Sequence, residues 1–476
     1  MRSFPPYLKI NAAILSCGLT LFFLCNLIVD PEGRFSLIDI SGFNHEKTEA
    51  METGGRAVKA FALQRGNYDA VILGSSRSEN GLNPRFPAFG ALRTYNASLE
   101  DTNLYEVYQV FLFARKTHRL KAVVLGLDFL LFTSKRTVGG DFMYSRFAGT
   151  SPWLNNLQYL ASFQTLLSSF VTVQNNRKGE KALYTDQGMR DRTLFSDGAQ
   201  INHRNLFIKV LTRNYLVREE TYGGFSYGHD RLELLRLLVE QCRMDGIALY
   251  LFITPAHARD LEALQALGLY PLFEQWKRDL VSVLATDATQ HPGEQPIQLW
   301  DFTGYTTLTT EDVPSAAEKE KPMRWYWESS HFKKELGDLV LDRLFNYHEP
   351  GQNVPEDFGV LITAENIETH LAQLREQQKR YSETHPQEVA EVEYLAKITE
   401  RFRATRETLT EALLQRDGAE RPKGSQEGAV LSPIAVNAAP SGRTPTVVGN
   451  EDEEKPTNPS ARQHNGVEAG TSAKPQ

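Results

Sequence analysis

Two short blocks carry residue types that could do acyl-group chemistry together. The first is Gly74-Ser75-Ser76-Arg77, which follows the apolar run Ala70-Val71-Ile72-Leu73. The second is Glu328-Ser329-Ser330-His331, about 250 residues further along. A serine hydroxyl is a weak nucleophile until a neighbouring base takes its proton. An imidazole serves best as that base when a carboxylate orients its other nitrogen. The first block offers the hydroxyl, His331 the base and Glu328 the carboxylate, and folding must bring them together. Plainer roles stand beside these. Ser75 or Ser76 could simply cap a following helix. Glu328 and His331 could sit at the start of a helix, where an acid is favoured. Arg77 could bind an anionic group, although pairing with Asp128 is the expected role.

The elements that must position these blocks are read from periodicity. Residues 69–73, 122–127, 247–253 and 297–301 are short apolar runs, each closed by polar residues. Helical patterns lie between and after them, at 229–244, 258–285 and 333–345, and Asp101 or Thr102 can cap a helix carrying Leu104, Tyr108 and Phe111. Strands alternating with long helices predict a mostly parallel sheet covered on both faces. The site then belongs at the strand C-termini. Ser75 and Ser76, Asp128, Thr254 with His257, and Asp301 occupy those ends. His257 is either a cleft or a surface residue, and Asp301 is a weaker cleft candidate. Residues 150–228 break the alternation and read as an insertion over the open edge of the site, either a lid or a cover for the sheet.

The termini differ from this core. Ile10 to Val29 is a run of 20 residues without charge, which as a helix spans roughly 30 Å, a bilayer core. Arg2 and Lys9 precede it, and Asp30 and Glu32 follow. That asymmetry predicts an uncleaved inner-membrane anchor with a cytoplasmic residue 1–9 segment and an extracytoplasmic remainder. Residues 30–64 read as a connector, 65–347 as the α/β domain and 348–417 as an antiparallel helical hairpin. In that hairpin Ile367, Leu371, Leu374 and Tyr381 make one apolar stripe, and Leu395, Ile398, Phe402 and Leu409 make another. Residues 418–476 have no aromatic side chain, and their composition predicts disorder.

Composition excludes several classes. The formal net charge is -7, with no basic stripe, so a nucleic-acid partner is not expected. The chain has 3 cysteines, two of them inside the apolar run, and its 11 histidines show no metal-ligand spacing. Neither a metal nor another cofactor is expected.

Gly74-Ser75-Ser76 after a strand and Glu328-Ser329-Ser330-His331 before a terminal helix resemble the SGNH/GDSL hydrolase superfamily. The nearest look is to its membrane-anchored members linked to polysaccharide O-acylation. The resemblance covers residues 65–347 on short motifs. It implies a three-layer α/β/α fold of SGNH or flavodoxin-like type. By position, Ser76 matches the nucleophile, His331 the base, and Glu328 the family's aspartate. The chain departs from the family at its oxyanion donors. No glycine stands in the second block, Tyr95-Asn96-Ala97-Ser98-Leu99-Glu100-Asp101-Thr102-Asn103, and Asp128 stands where the third block has its asparagine. Asn96 and Asn103 are the candidate replacements, with Ser75, Arg77, Asp128 and His257 as further binding candidates. The resemblance implies an acyl-ester transferase or esterase acting on an envelope or exopolysaccharide. Its donor would come from a multi-pass membrane partner. The alternative is an inactive protein that binds glycan or scaffolds an export complex.

Overall fold

The computed structural model describes residues 5–48, 55–149, 152–191, 201–315, 317–318, 321–348, 350–351 and 353–419. The tail expected to be disordered lies, from residue 420 on, outside them. The chain divides into Met1–Gln415 and Arg416–Gln476, and the sheet and the candidate site both belong to the first unit.

Helix α1 (Pro6–Val29) ends at Asp30, which turns left-handed at φ 48°. The Asp30 carboxylate then accepts from the N–H groups of Arg34, Phe35 and Ser36 at 2.7–2.8 Å. Lys9–Val29 is long and apolar enough to cross a membrane. After it come α2 (Gly55–Arg65), β1 (Ala70–Leu73), α3 (Ser76–Gly81), β2 (Thr94–Asn96), α4 (Leu104–Thr117) and β3 (Ala122–Leu127). Helices α5 (Pro152–Leu160), α6 (Phe163–Lys178), α7 (His203–Val210) and α8 (Asp230–Asp245) precede β4 (Ala248–Ile253). Next are α9 (Ala258–Ala266), α10 (Tyr270–Gln290), β5 (Leu299–Asp301), α11 (Lys334–Phe345), β6 (Val360–Ile362), α12 (Ile367–Thr384) and α13 (Pro386–Ala419).

The six strands form one sheet in the order β2-β1-β3-β4-β5-β6. All neighbours are parallel except β5 and β6. The chain is thus a mixed α/β protein. Its strands are apolar runs because both faces are buried. Val71, Leu73, Val123, Leu125 and Ile253 join one hydrophobic cluster, while Ile72, Val124 and Phe252 join another on the opposite face. From β1 the chain steps outward to β2, then returns to the other side of β1 for β3. The C-terminal ends of β1 and β3 therefore flank a switch in strand order, where open α/β sheets form a crevice.

All four expected strands are present. Strands β2 and β6, three residues each, are additional to them. The long helix expected over 258–285 is broken at Gly268, whose φ of +67° ends α9 before α10 begins. The cap of α4 is Asn103, not Asp101 or Thr102.

The insertion does not act as one cover. Its first half, α5 and α6, lies against α1. Residues beyond α6 reach the cleft at the sheet's C-terminal edge, through Tyr184, Asn214, Tyr215 and Arg218. The first of the two C-terminal helices buries its expected stripe, whereas the second buries a different face. Helix α12 buries Leu371, Leu374 and Tyr381, and Arg375 on it binds both oxygens of Glu274 on α10. Helix α13 buries Val392, Ala396 and Thr399 while Ile398 and Phe402 stay exposed. Its ion pairs run to the α/β domain, Glu388 to Arg259 and Glu391 to Arg204 at 2.7 Å. A face is buried where its partner lies, and these partners lie on the side of Val392. The Leu409 side chain lies outside the described residues.

Candidate active site

Strand β1 ends in Gly74, whose φ of +146° suits glycine. A Cβ there would also meet the Gly126 carbonyl oxygen of β3 at 2.8 Å. Ser75 follows as the cap of α3, accepting from the Arg77 N–H at 3.2 Å. Its own hydroxyl donates to Asp128 at 2.5 Å. Ser76 is the first helical residue, and from Ala70 through Leu82 it alone is not fully buried.

Glu328 and His331 sit in a loop closed by an antiparallel bridge between Tyr326 and Phe332. The fully buried Glu328 accepts from the Ser330 N–H at 2.9 Å and the His331 N–H at 3.1 Å. It also binds His331 Nδ1. With Nδ1–H donating to the carboxylate, Nε2 of the neutral ring is an acceptor. That Nε2 lies 2.8 Å from Ser76 Oγ. The three residues therefore form a continuous relay, carboxylate to imidazole to hydroxyl.

The other expected residues are distributed differently. Arg77 pairs with Asp260, not Asp128, at 2.9 Å. Its Nε also donates to Ser330 Oγ at 3.2 Å. Tyr222 donates to the same Asp260 oxygen at 2.9 Å, and Tyr215 binds Ser330 Oγ. Burial raises the Asp260 pKa, with Arg77 and Tyr222 opposing it. Arg77 and Ser75 still line the cleft around Ser76, but the Arg77 charge is already paired with Asp260.

Asn96 is not an oxyanion donor. Both its N–H bonds go to the Ser78 and Leu82 carbonyls at 2.9 Å, which ties β2 to α3. Asn103 caps α4 and donates to the Arg136 carbonyl at 3.0 Å. Each amide repairs a backbone group that burial would otherwise leave unpaired. His257 caps α9, accepting from the Arg259 N–H at 3.2 Å, and its Nε2 meets the Glu311 carbonyl at 2.7 Å. It is 1% exposed, and burial lowers its pKa to about 3. It does not line the Ser76 cleft. Neither does Asp301, which binds Lys277 at 2.6 Å and His370 at 2.8 Å in the interior.

The cleft around Ser76 has a volume of about 370 Å³. Its walls include Arg56, Arg136, Arg218, Asp128, Asp141 and Asn214. Arg56 pairs with Glu106 at 2.7 Å and Asp141 at 3.0 Å. Asp101 holds Arg136 at 3.4 Å and Arg218 at 3.0 Å. The walls are thus rich in charge but locally balanced. Asn214 is exposed and belongs to a π-helical turn, Leu211–Leu216, a form often found at functional sites. It is the only carboxamide side chain among the lining residues. Sequence reasoning missed Arg56, Arg136, Arg218 and Asn214. The Asn- and Arg-rich composition of residues 150–228 is the sole signal for Asn214 and Arg218, and nothing in the sequence marks Arg56 or Arg136. Among the described residues, no three His, Cys, Asp or Glu side chains converge as a metal site.

Fold and site together define a mixed α/β chain with an apolar N-terminal helix and a Ser-His-Glu relay at the strand ends. Comparison with protein-family models, curated proteins and solved structures found no match to this chain.

Proposed function

We propose that this chain is a three-layer α/β/α protein of SGNH type, acting as an extracytoplasmic acyl-ester transferase or esterase on an envelope or exopolysaccharide. The observation that carries the reading is Ser76 Oγ at 2.8 Å from His331 Nε2, with Nδ1 of the same ring on buried Glu328. The position of the relay at the switch between β1 and β3 supports it further. The charges flanking α1, Arg2 and Lys9 before it and Asp30 and Glu32 after it, support an inner-membrane anchor with the main domain outside the cytoplasm.

In this mechanism Ser76 Oγ attacks the acyl carbonyl while its proton passes to His331 Nε2. Glu328 stabilises the imidazolium. The tetrahedral oxyanion collapses, and the departing alcohol takes the proton from His331, leaving an acyl-serine. A sugar hydroxyl or water then attacks, His331 takes its proton, and Ser76 is released. The Ser76 N–H lies in the first turn of α3, outside the intrahelical ladder, and is one candidate oxyanion donor. Asn214 is the second. A polar, hydrogen-bonding cleft suits a hydroxyl-rich acceptor better than a long acyl chain. A multi-pass membrane acyltransferase would supply the donor.

One observation favours a second reading. Asn96 spends both its N–H groups on backbone carbonyls and Asn103 caps α4 and binds the Arg136 carbonyl, so neither serves as the side-chain donor. An inactive glycan-binding or scaffolding protein of an export complex would tolerate that loss. Acyl content of purified polymer from a Ser76→Ala strain separates the two. The enzyme reading expects acylation to disappear at normal membrane abundance of the protein. Unchanged acylation transfers the case to the scaffold.

A further inference from the structure

Helices α5 and α6 are built inside out. From Pro152 through Asn176 there is no Asp, Glu, Lys or Arg. Helix α6 buries Thr165, Ser168, Ser169, Thr172 and Asn176. Its exposed face carries Phe163, Leu167 and Phe170, at 66%, 43% and 64% exposure. On α5, Trp153, Leu154 and Leu157 are exposed at 69%, 42% and 49%. A helix facing water hides its apolar stripe and shows its polar one. These two do the reverse, as helices do when lipid is the outer solvent and small polar residues make the internal contacts.

The cover for this face is set by what the helices hold. Asn26, buried near the end of α1, donates to the Leu160 carbonyl at 2.9 Å and the Ser162 carbonyl at 3.2 Å. These groups lie at the junction of α5 and α6. Ser169 donates back to Asn26 at 3.4 Å, and Tyr159 donates to Asp30 at 3.1 Å. The helix pair is therefore fastened to the last turns of the one apolar helix long enough to cross a membrane among the described residues. Asn26 stands four residues before Asp30, about 6 Å below the end of α1 along its axis. Interfacial amphipathic helices sit about 5–10 Å into the boundary of headgroups and acyl chains.

We propose that α5 and α6 lie in the surface of the bilayer that α1 spans, with Trp153, Leu157, Phe163 and Phe170 among the acyl chains. The occupant of the exposed face is a phospholipid leaflet. The α/β domain is then held in a set orientation on the membrane, rather than tethered through α1 alone. This rests on the membrane-spanning role of α1 and is independent of the acyl-transfer chemistry.

The test uses the full chain in vesicles of phosphatidylethanolamine and phosphatidylglycerol. Cys17, Cys25 and Cys242 are replaced, and single spin-labelled cysteines are placed at Leu157, Phe163 and Phe170. Leu21 on α1 and Met244 on α8, 70% and 61% exposed, are the references for lipid and water. Collision with oxygen against a water-soluble nickel chelate reads depth. The expected oxygen-to-nickel ratio at the three helix-pair sites is several-fold above that at Met244 and below that at Leu21, which lies about 12 Å below the end of α1. High nickel access overturns the proposal in favour of a water-facing surface. Low access to both reagents overturns it in favour of a second copy or a protein partner. A low ratio at Leu21 itself overturns the anchor, and with it the inference. A second reading needs no cysteine changes. Lipids brominated on the acyl chain should quench a share of the fluorescence that Trp153→Phe removes, and unquenched Trp153 emission would contradict the proposal.

Discussion

Gly81, at the end of the helix that Ser76 begins, lies directly against Gly337, in the first turn of the helix that comes after His331. A Cβ on Gly337 would overlap the Gly81 carbonyl oxygen, and a Cβ on Gly81 would overlap the Phe332 ring. This contact brings together two parts of the chain that sequence separates by about 250 residues. The two helices in contact here are the one that Ser76 begins and the one that follows His331.

Gly337→Ala should therefore act on both stability and the site. The added methyl group has no free volume, and overpacking of this kind costs about 1–3 kcal/mol. Denaturant unfolding should show that loss, and reaction at Ser76 should slow as α3 and α11 are forced apart. A variant as stable and as reactive as the parent would show that the contact does not hold the site.

Arg77 and Asp260 are buried together as an ion pair. Arg77→Ala leaves the buried Asp260 carboxylate without its countercharge, held only by the Tyr222 hydroxyl, and should cost about 3–5 kcal/mol. Replacing both residues with apolar side chains of similar size should recover most of that. A double-mutant cycle by chemical unfolding measures it. Additive losses would mean that the pair is not coupled.

Much of this arrangement is visible in the sequence, and the reasons are physical. The four strands of the sheet centre are legible because burial writes them as short, largely apolar runs ended by polar residues, most completely in β1 and β3. Ser76 is legible because it follows such an end, and Glu328 and His331 because they form a short block just before a helix. Strands β2 and β6 leave only three residues of signal. Asn96 and Asn103 mislead because an amide's role depends on which backbone groups it repairs, and only the fold decides that. Arg56, Arg136 and Asn214 come from separate segments that share no spacing. The buried face of α13 is set by Arg204 and Arg259 on other elements, so its own apolar stripe points the wrong way.

Asn214→Ala tests the second oxyanion donor. Losing one such donor lowers kcat roughly 100- to 1,000-fold, and KM for a small activated ester should barely move. Steady-state kinetics on that ester reads both. An unchanged kcat would leave the Ser76 N–H as the only donor identified.

His257 predicts how stability responds to acid. Burial lowers its pKa from 6.5 to about 3, so the unfolded chain binds the proton more readily. Its contribution is complete above pH 6.5 and is lost as pH falls toward 3, at about 1.4 kcal/mol per pH unit. His257→Asn keeps a helix cap but cannot titrate. The variant should start less stable at pH 7.5, and its stability should converge on the parent's by pH 4.5. Parallel curves would contradict a buried neutral His257.

The central claim is that Ser76 is activated by His331 and Glu328. An alkyl fluorophosphonate reports this directly, since an activated serine oxygen displaces fluoride and keeps the phosphonyl group. Peptide mass spectrometry of the full chain should place one adduct on Ser76 and none in Ser76→Ala. His331→Ala, equally folded by thermal melting, should label roughly 100- to 10,000-fold more slowly. An unlabelled Ser76 in folded protein, or labelling of His331→Ala at the parent rate, would contradict the claim.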